Sequence, residues 1–302
     1  MAWGLITYDD PGRREDLLDL IGDISPDETP LMTLFGTSTA SSTLHEWMKH
    51  SVPRASSVAA DVEGADTTFG DLTQPSRENN VTHIIKRSIR VSRTERRMNV
   101  AGMGDPFAFQ KADALRLLKM DMEYAILNSV RASGSSGVAR KMNGIDAFTT
   151  SVATARNSGT SYSEQELNDM TTDSWNVTRG DKVFDLLLVT AKIKQAIAGF
   201  GGNSTRYVDA SERRLTKDIL VYESSVGQHK IMHHRDVRNV AGSVTVYGIR
   251  EDLHKVAYLE KPMFEELAKV GDADRGHWVT EFTLEAHQEA ANNKRTGYAI
   301  NG

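Results

Sequence analysis

The run from Arg14 to His50, REDLLDLIGDISPDETPLMTLFGTSTASSTLHEWMKH, limits this chain most, because it cannot bury its own apolar residues. Leu17, Leu20, Ile21 and Ile24 follow Asp16 at helical spacing, enough for roughly two turns. Pro26 and Pro30 then interrupt, since proline removes a backbone donor and drives the preceding residue toward extended geometry. Leu31, Met32, Leu34, Phe35, Leu44 and Trp47 come in separate clusters joined by the small polar stretch from Gly36 to Thr43. Such a segment is predicted to be an arm whose aliphatic anchors need another surface to cover them.

Downstream, Val52 to Pro75 has almost no large apolar residue and reads as a projecting loop. From Thr82 the pattern alternates: Ile85, Ile89 and Val91 share one side, and Lys86, Ser88, Arg90 and Ser92 the other, as in a strand with one wet face. Loop and strand together predict a two-stranded projection. Asp105-Pro106 supplies a cap and a first-turn proline. Leu115, Leu118, Met122, Ala125, Ile126 and Val130 then mark a helix of ~25 residues, about 37 Å, stopped by Ser133 to Gly137.

Ser163 with Glu166 predicts a capping box opening a short helix. A buried strand is expected from Val183 to Val189, and a helix from Ala191 to Phe200 closed by Gly201-Gly202. Further strands are expected at Lys217 to Glu223, Lys230 to His234, Val244 to Ile249 and around Trp278 to Leu284. Asn292-Asn293 reads as a turn before a last strand from Gly297 to Ile300. The fold class is α+β.

Several near-motifs carry no chemistry. His45 and His50 are five apart, about 140° around a helix, so they cannot share the metal that a four-residue spacing would give. His229, His233 and His234 form the densest histidine group, but in a strand the adjacent pair face opposite ways and no carboxylate is fixed beside them. Gly199 to Ser204 follows a helix, where a dinucleotide loop must precede one. Asp272 and Asp274, near Glu266, read as a tight turn with side chains bonding their own backbone. No cofactor is called for and no nucleophile, base and oxyanion set assembles, so an enzyme is not expected.

The chain has 302 residues and no cysteine, which excludes disulfides and thiolate metal sites. It contains no run of roughly 20 apolar residues, and its start lacks a basic then apolar leader. A soluble, non-secreted protein without membrane partners is expected. The net charge of −5 argues against a dedicated nucleic-acid binder. Charge is unevenly placed: eight carboxylates against two arginines between Asp9 and Glu28, and six cations against Glu95 between Lys86 and Arg97.

ISPDETPLMTLFG followed by LHEW, then RVSRT at Arg90 to Thr94 ahead of the Pro106 helix, then KVAYLEKPMFEELAKVGDADRGHWVTEFTLEAHQEAA from Lys255 to Ala291, resembles in order and spacing the major head proteins of tailed bacteriophages. Between Gly180 and Arg250 the likeness is only a pattern of strands and one helix. The resemblance implies the Hong Kong ninety-seven type phage major capsid fold: an N-terminal arm (1–50), an extended loop (51–98), a spine-helix peripheral domain (99–145 and 256–302) and an axial domain (146–255). It implies a virion structural protein, made in the host cytoplasm, that self-assembles into hexamers and pentamers of an icosahedral capsid. Packaged double-stranded DNA would be enclosed without sequence-specific binding. Implied partners besides copies of itself are scaffolding, portal and cement proteins. A cytosolic αβ enzyme with an unrecognised site, or another phage structural protein of tail or neck, is the alternative. On the shell reading the opposite charge runs make Asp16, Asp19 and Asp23, with Arg90, Arg93, Arg96 and Arg97, the intersubunit interface candidates. Some shells of this fold weld a loop lysine to a neighbour's asparagine. Ser51 to Glu78 contains no lysine, so no such mesh is expected through this loop.

Overall fold

The computed structural model describes residues 29–50, 60, 62–66, 74–98, 104–178, 183–200, 221–224, 227–237, 239–240 and 243–299. The helix expected over Leu17 to Ile24, most of the projecting loop, Gly201-Gly202, Lys217 to Leu220 and Ile300 lie outside them. The first half of the chain forms α1 (Pro30–Leu34), β1 (Gly36–Thr39), β2 (Leu44–Lys49), β3 (Ser76–Val81), β4 (His83–Ser92), α2 (Arg93–Arg97), α3 (Pro106–Asn128), α4 (Ile145–Phe148) and β5 (Ala153–Thr160). The second half forms α5 (Glu164–Thr178), β6 (Leu186–Val189), α6 (Ala191–Ile197), β7 (Val221–Glu223), β8 (Gln228–His233), β9 (Asn239–Val240), β10 (Ser243–Ile249), β11 (His254–Leu267), β12 (Ala273–Ala286) and β13 (Asn293–Ala299).

α3 starts where the cap and proline place it: the Asp105 carboxylate accepts from Phe107 N at 3.0 Å, and Pro106 occupies the first turn. Its 23 residues give about 34 Å of rod. It ends at Asn128, short of the expected stop, and Val130 is exposed beyond it. The chain returns through Ala132, paired with Lys141, to Gly144. A Cβ on Gly144 would stand 2.8–2.9 Å from the carbonyl oxygens of Ala125, Ile126 and Leu127, so only glycine lets the return pass the helix end.

The structure has two larger sheets, and α3 packs on β4 and β12 of the first. One has the order β1-β11-β12-β4, antiparallel except for β1, which runs parallel to β11. The other runs β5-β13-β10-β6-β8-β7, with β9 beside β10. β6 is LLLV, wholly buried, as a strand covered on both faces must be. Leu118, Met122 and Ile126 of α3, β6, Val246 and Tyr247 of β10, and Phe282 and Leu284 of β12 join one continuous core.

The alternation read for β4 holds, with Ile89 and Val91 buried and Lys86, Ser88 and Arg90 exposed. Among the described residues the expected two-stranded projection is made of other strands. β4, inside the range 51–98, pairs with β12, and the two-stranded unit is β2 with β3. β13, inside 256–302, pairs with β10 and β5 of the larger sheet. Asn292-Asn293 is no turn: a 3-10 turn at Glu289–Ala291 comes first, and Asn293 opens β13 with its amide donating to Met170 O at 3.0 Å. The capping box is half made. Glu166 N donates to Ser163 Oγ at 3.4 Å, but the Glu166 carboxylate accepts instead from Arg295 (2.7 Å), Tyr298 (2.9 Å) and Arg156. The buried guanidinium of Arg295 needs that charge more than the helix end does.

The arm also differs beyond residue 29. Pro30 opens a helix of its own, α1, and the expected polar linker contains β1, which adds to the sheet edge. Leu31 and Phe35 are buried in the subunit's own core, and Trp47 is buried with its Nε1 donating to Ala286 O at 3.2 Å. These anchors are covered by their own chain, each side chain contributing about 1.5–3 kcal/mol of burial.

Candidate assembly surfaces

The basic run divides by the face each residue occupies. Arg87 reaches α3, making a two-point contact with Asp121 at 2.5 and 2.6 Å. α2 starts at the Ser92 cap, whose Oγ accepts from Glu95 N, and it lies against the β11–β12 turn. There Arg93 Nε meets Asp272 at 2.9 Å, while Arg96 meets Asp274 at 2.8 Å and Asp105 at 3.4 Å. Lys269 and then Arg96 hold the Asp274 carboxyl below its ordinary value. The turn reading stands for Asp272 only: Asp274 lies in β12 opposite Val91, and both carboxylates take cations of this subunit, because α2 delivers guanidinium groups into reach. Of the sequence candidates, Arg93 and Arg96 are engaged inside the subunit, while Arg90 and Arg97 are exposed without an ion pair among the described residues. Asp16, Asp19 and Asp23 lie outside the described residues.

Arg90 belongs to the sheet face that α3 does not cover. Along β4, Ile89 and Val91 turn to the cluster around Phe107 and Trp278, and Trp278 Nε1 donates to Lys111 O of α3 at 2.9 Å. Cross-strand register puts three rows on the opposite face: Lys86, Val279 and Met263; Ser88, His277 and Glu265; Arg90, Arg275 and Leu267.

A second site was not visible in sequence. Glu123 lies within the arc of α3's buried stripe, and its carboxylate accepts from Leu31 N (2.7 Å) and Met32 N (3.0 Å) of α1. It thus caps a helix whose own Thr29 makes no side-chain cap, satisfying first-turn donors with a charge 92 residues downstream. His234 Nε2 stands 2.9 Å from the same carboxylate, and its Nδ1 accepts from Asp236 N at 3.1 Å, which leaves the proton on Nε2. One carboxylate therefore joins α1, α3 and the residue that follows β8. This corrects the reading that no carboxylate stands beside the histidine group. His229 is buried between Phe184 O and Ser224 Oγ, and burial pushes its pKa down. The only sequence signal was a lone acid among Met122, Ala125, Ile126 and Leu127.

A third junction joins the first strands to β12. Glu285 Oε1 lies 2.6 Å from both Ser38 Oγ and His45 Nε2. Burial alone would raise this carboxyl, but Ser38 and His45, then His287, hold it below its ordinary value. His45 sits in strand β2, not on a helix, so the near-zincin spacing has no helical meaning. Among the described residues no group of three or more His, Asp or Glu could hold a metal ion, and no helix is long and apolar enough to cross a membrane.

This fold is similar to that of solved phage shell proteins. The capsid asymmetric unit of cyanophage A-1(L) matches with a TM-score of 0.67 at 11% identity, over 96% of this chain and 98% of that one. A structure from Mycobacterium phage Che8 matches with a TM-score of 0.63 at 12% identity, over 94% and 97%. At such identities the likeness is one of fold. In sequence, the major capsid protein of Escherichia phage Phieco32 is 26% identical over 123 residues, 41% of this chain and only 35% of that relative's length. The sequence profile of the SU10 major capsid proteins matches residues 5–299, nearly end to end, and the chain belongs to the SU10 major capsid protein family.

Proposed function

We propose that copies of this chain form the hexamers and pentamers of an icosahedral head that encloses double-stranded DNA. The observation that carries this reading is the family match over residues 5–299. In this reading the arm (1–50), before the part from Pro30 to Lys49 that packs on its own subunit, and the extended loop (51–98), apart from β4, reach between subunits, the peripheral domain (99–145 and 256–302) is built on α3, and the axial domain (146–255) meets its symmetry mates. The chain acts by assembling, not by catalysis. It is made in the host cytoplasm and meets portal, scaffolding or cement proteins there. A net charge of −5 suits a wall that holds DNA without sticking to its phosphates, and no sequence-specific binding is proposed. Negative-stain microscopy of the purified chain tests the reading: closed shells or capsomer rings are expected, and a monodisperse monomer at every concentration and ionic strength would overturn it.

A further inference from the structure

We propose that His234 is a proton-operated catch between α3 and the larger sheet: when its imidazole takes a second proton, the residues that follow β8 are loosened from α3. The inference goes beyond the shell reading, because it concerns one subunit and holds whether or not that subunit assembles.

As a neutral ring, His234 has both nitrogens in use. Nε2–H donates to Glu123 of α3 at 2.9 Å, and Nδ1 accepts from Asp236 N at 3.1 Å. The two side chains are only 3% and 1% exposed, so solvent does not readily replace a lost partner. A proton arriving on Nδ1 points at the Asp236 N–H, a donor facing a donor. Ring and amide cannot both keep their places. Either the Asp236 amide moves off, or the ring turns and leaves Glu123, and in both cases the joint between α3 and β8 loses a bond. Asn128 Nδ2 of α3 also donates to Asp236 O, at 2.7 Å, so the change falls on a short stretch that α3 holds at both ends.

The surroundings supply both charge partners and room. Two acids stand by the ring, Glu123 in contact and Asp236 beside it. Burial raises the Asp236 carboxyl above its ordinary value; His234 opposes this, Glu123 adds to it and Arg235 opposes it. An imidazolium therefore has two carboxylates to answer it. α1 brings no titratable side chain. On α3, Asp121 is matched by Arg87, and Lys119 and Tyr124 are exposed. His233 and Arg235 are also exposed, where solvent and salt weaken their influence. A cavity of ≈ 250 Å³ bounded by Pro30, Met120 and Tyr124 reaches His234 and Asp236, so the ring or the amide can shift into it without opening the core.

Hydrogen exchange of the full-length, unassembled chain tests the catch between about pH 8 and about pH 5, the range in which histidine changes charge. The Asp236 amide is read against the amides of β6, so that the pH dependence of exchange itself cancels. Toward acid, the protection of Asp236 should fall about tenfold relative to β6, the worth of one hydrogen bond. The nitrogen chemical shifts of the His234 ring should show Nδ1 gaining its proton with the same midpoint. His234→Gln carries an amide that can donate to Glu123 and takes no proton, so its Asp236-to-β6 ratio should not change with pH, whatever its level. His233→Gln, altered at the exposed neighbour, should keep the wild-type response. A wild-type ratio that stays constant, or ring and amide midpoints that differ, would overturn the proposal. So would a response that survives in His234→Gln or vanishes in His233→Gln. The ring shifts are measured on the wild-type chain, and they decide the matter even where His234→Gln does not fold.

Discussion

Replacing His254 with asparagine should flatten the acid limb of the subunit's stability curve. His254 opens β11, is 1% exposed, and stacks on Phe35 with ring centroids 5.1 Å apart. Its Nδ1–H donates to Arg250 O at 2.7 Å, and Nε2 stands 3.0 Å from the Asn292 amide nitrogen. The Asn292 oxygen is already taken by Arg250 N at 3.2 Å, so the amide cannot turn to accept a second imidazole proton without breaking that bond. Burial first, and His287 with it, pushes the imidazole down to about 4, against the Arg250 carbonyl, Asp185 and Asp252, which favour the charged form. The folded value therefore lies below the unfolded one. On acidification the unfolded chain binds the proton first, so this stability is whole above about pH 6.5 and is lost as pH falls toward the folded value. From 6.5 unfolded to about 4 folded, the loss is about 2 kcal/mol by about pH 5 and about 3 kcal/mol below both values. His83 and His229, also depressed by burial, add to the background in the same direction. Urea unfolding of the unassembled subunit, followed by tryptophan fluorescence, should therefore give a wild-type advantage over His254→Asn that shrinks by about 2 kcal/mol between about pH 7.5 and about pH 5. An advantage that stays constant over that range would refute the reasoning, whatever its size at neutral pH.

Three other perturbations test the junctions. Glu123→Ala leaves Leu31 N, Met32 N and His234 Nε2 without their acceptor and should cost about 3 kcal/mol, with hydrogen exchange at Leu31 and Met32 rising before that of β6; unchanged protection there would mean α1 is held by packing alone. Gly144→Ala drives a methyl into the carbonyls at the end of α3 and should lower stability by about 1–3 kcal/mol in the same urea assay, whereas Gly64→Ala, with nothing nearby but a positive φ, should cost less. Boiled, denatured particles should run as single chains, since Ser51 to Glu78 has no lysine, and a ladder joined through that loop would contradict it.

Local signals were legible where the chain acts locally. Asp105-Pro106 and the stripe through Leu118, Met122 and Ile126 fixed α3, and alternation from Ile85 to Val91 fixed β4, because cap, period and burial are all set within one element. The arm shows where such signals stop. Leu31 and Phe35 announce a need for burial, but what buries them is α3 and β11, reached by a four-residue parallel pairing whose partner lies more than two hundred residues away. Glu123 was hidden for the same reason: its role exists only once Leu31, Met32 and His234 arrive from both ends of the chain. The basic run was read as one feature, yet the two-residue period of β4 splits it. Arg87, pointing toward α3, and Arg93 and Arg96, carried by α2 to the turn, are settled within the subunit, whereas Arg90 is turned away and set against Arg275. Charge counted along the sequence gave the sign of the surface. The strand period and the register with β12 decide which of its cations find a carboxylate within the subunit.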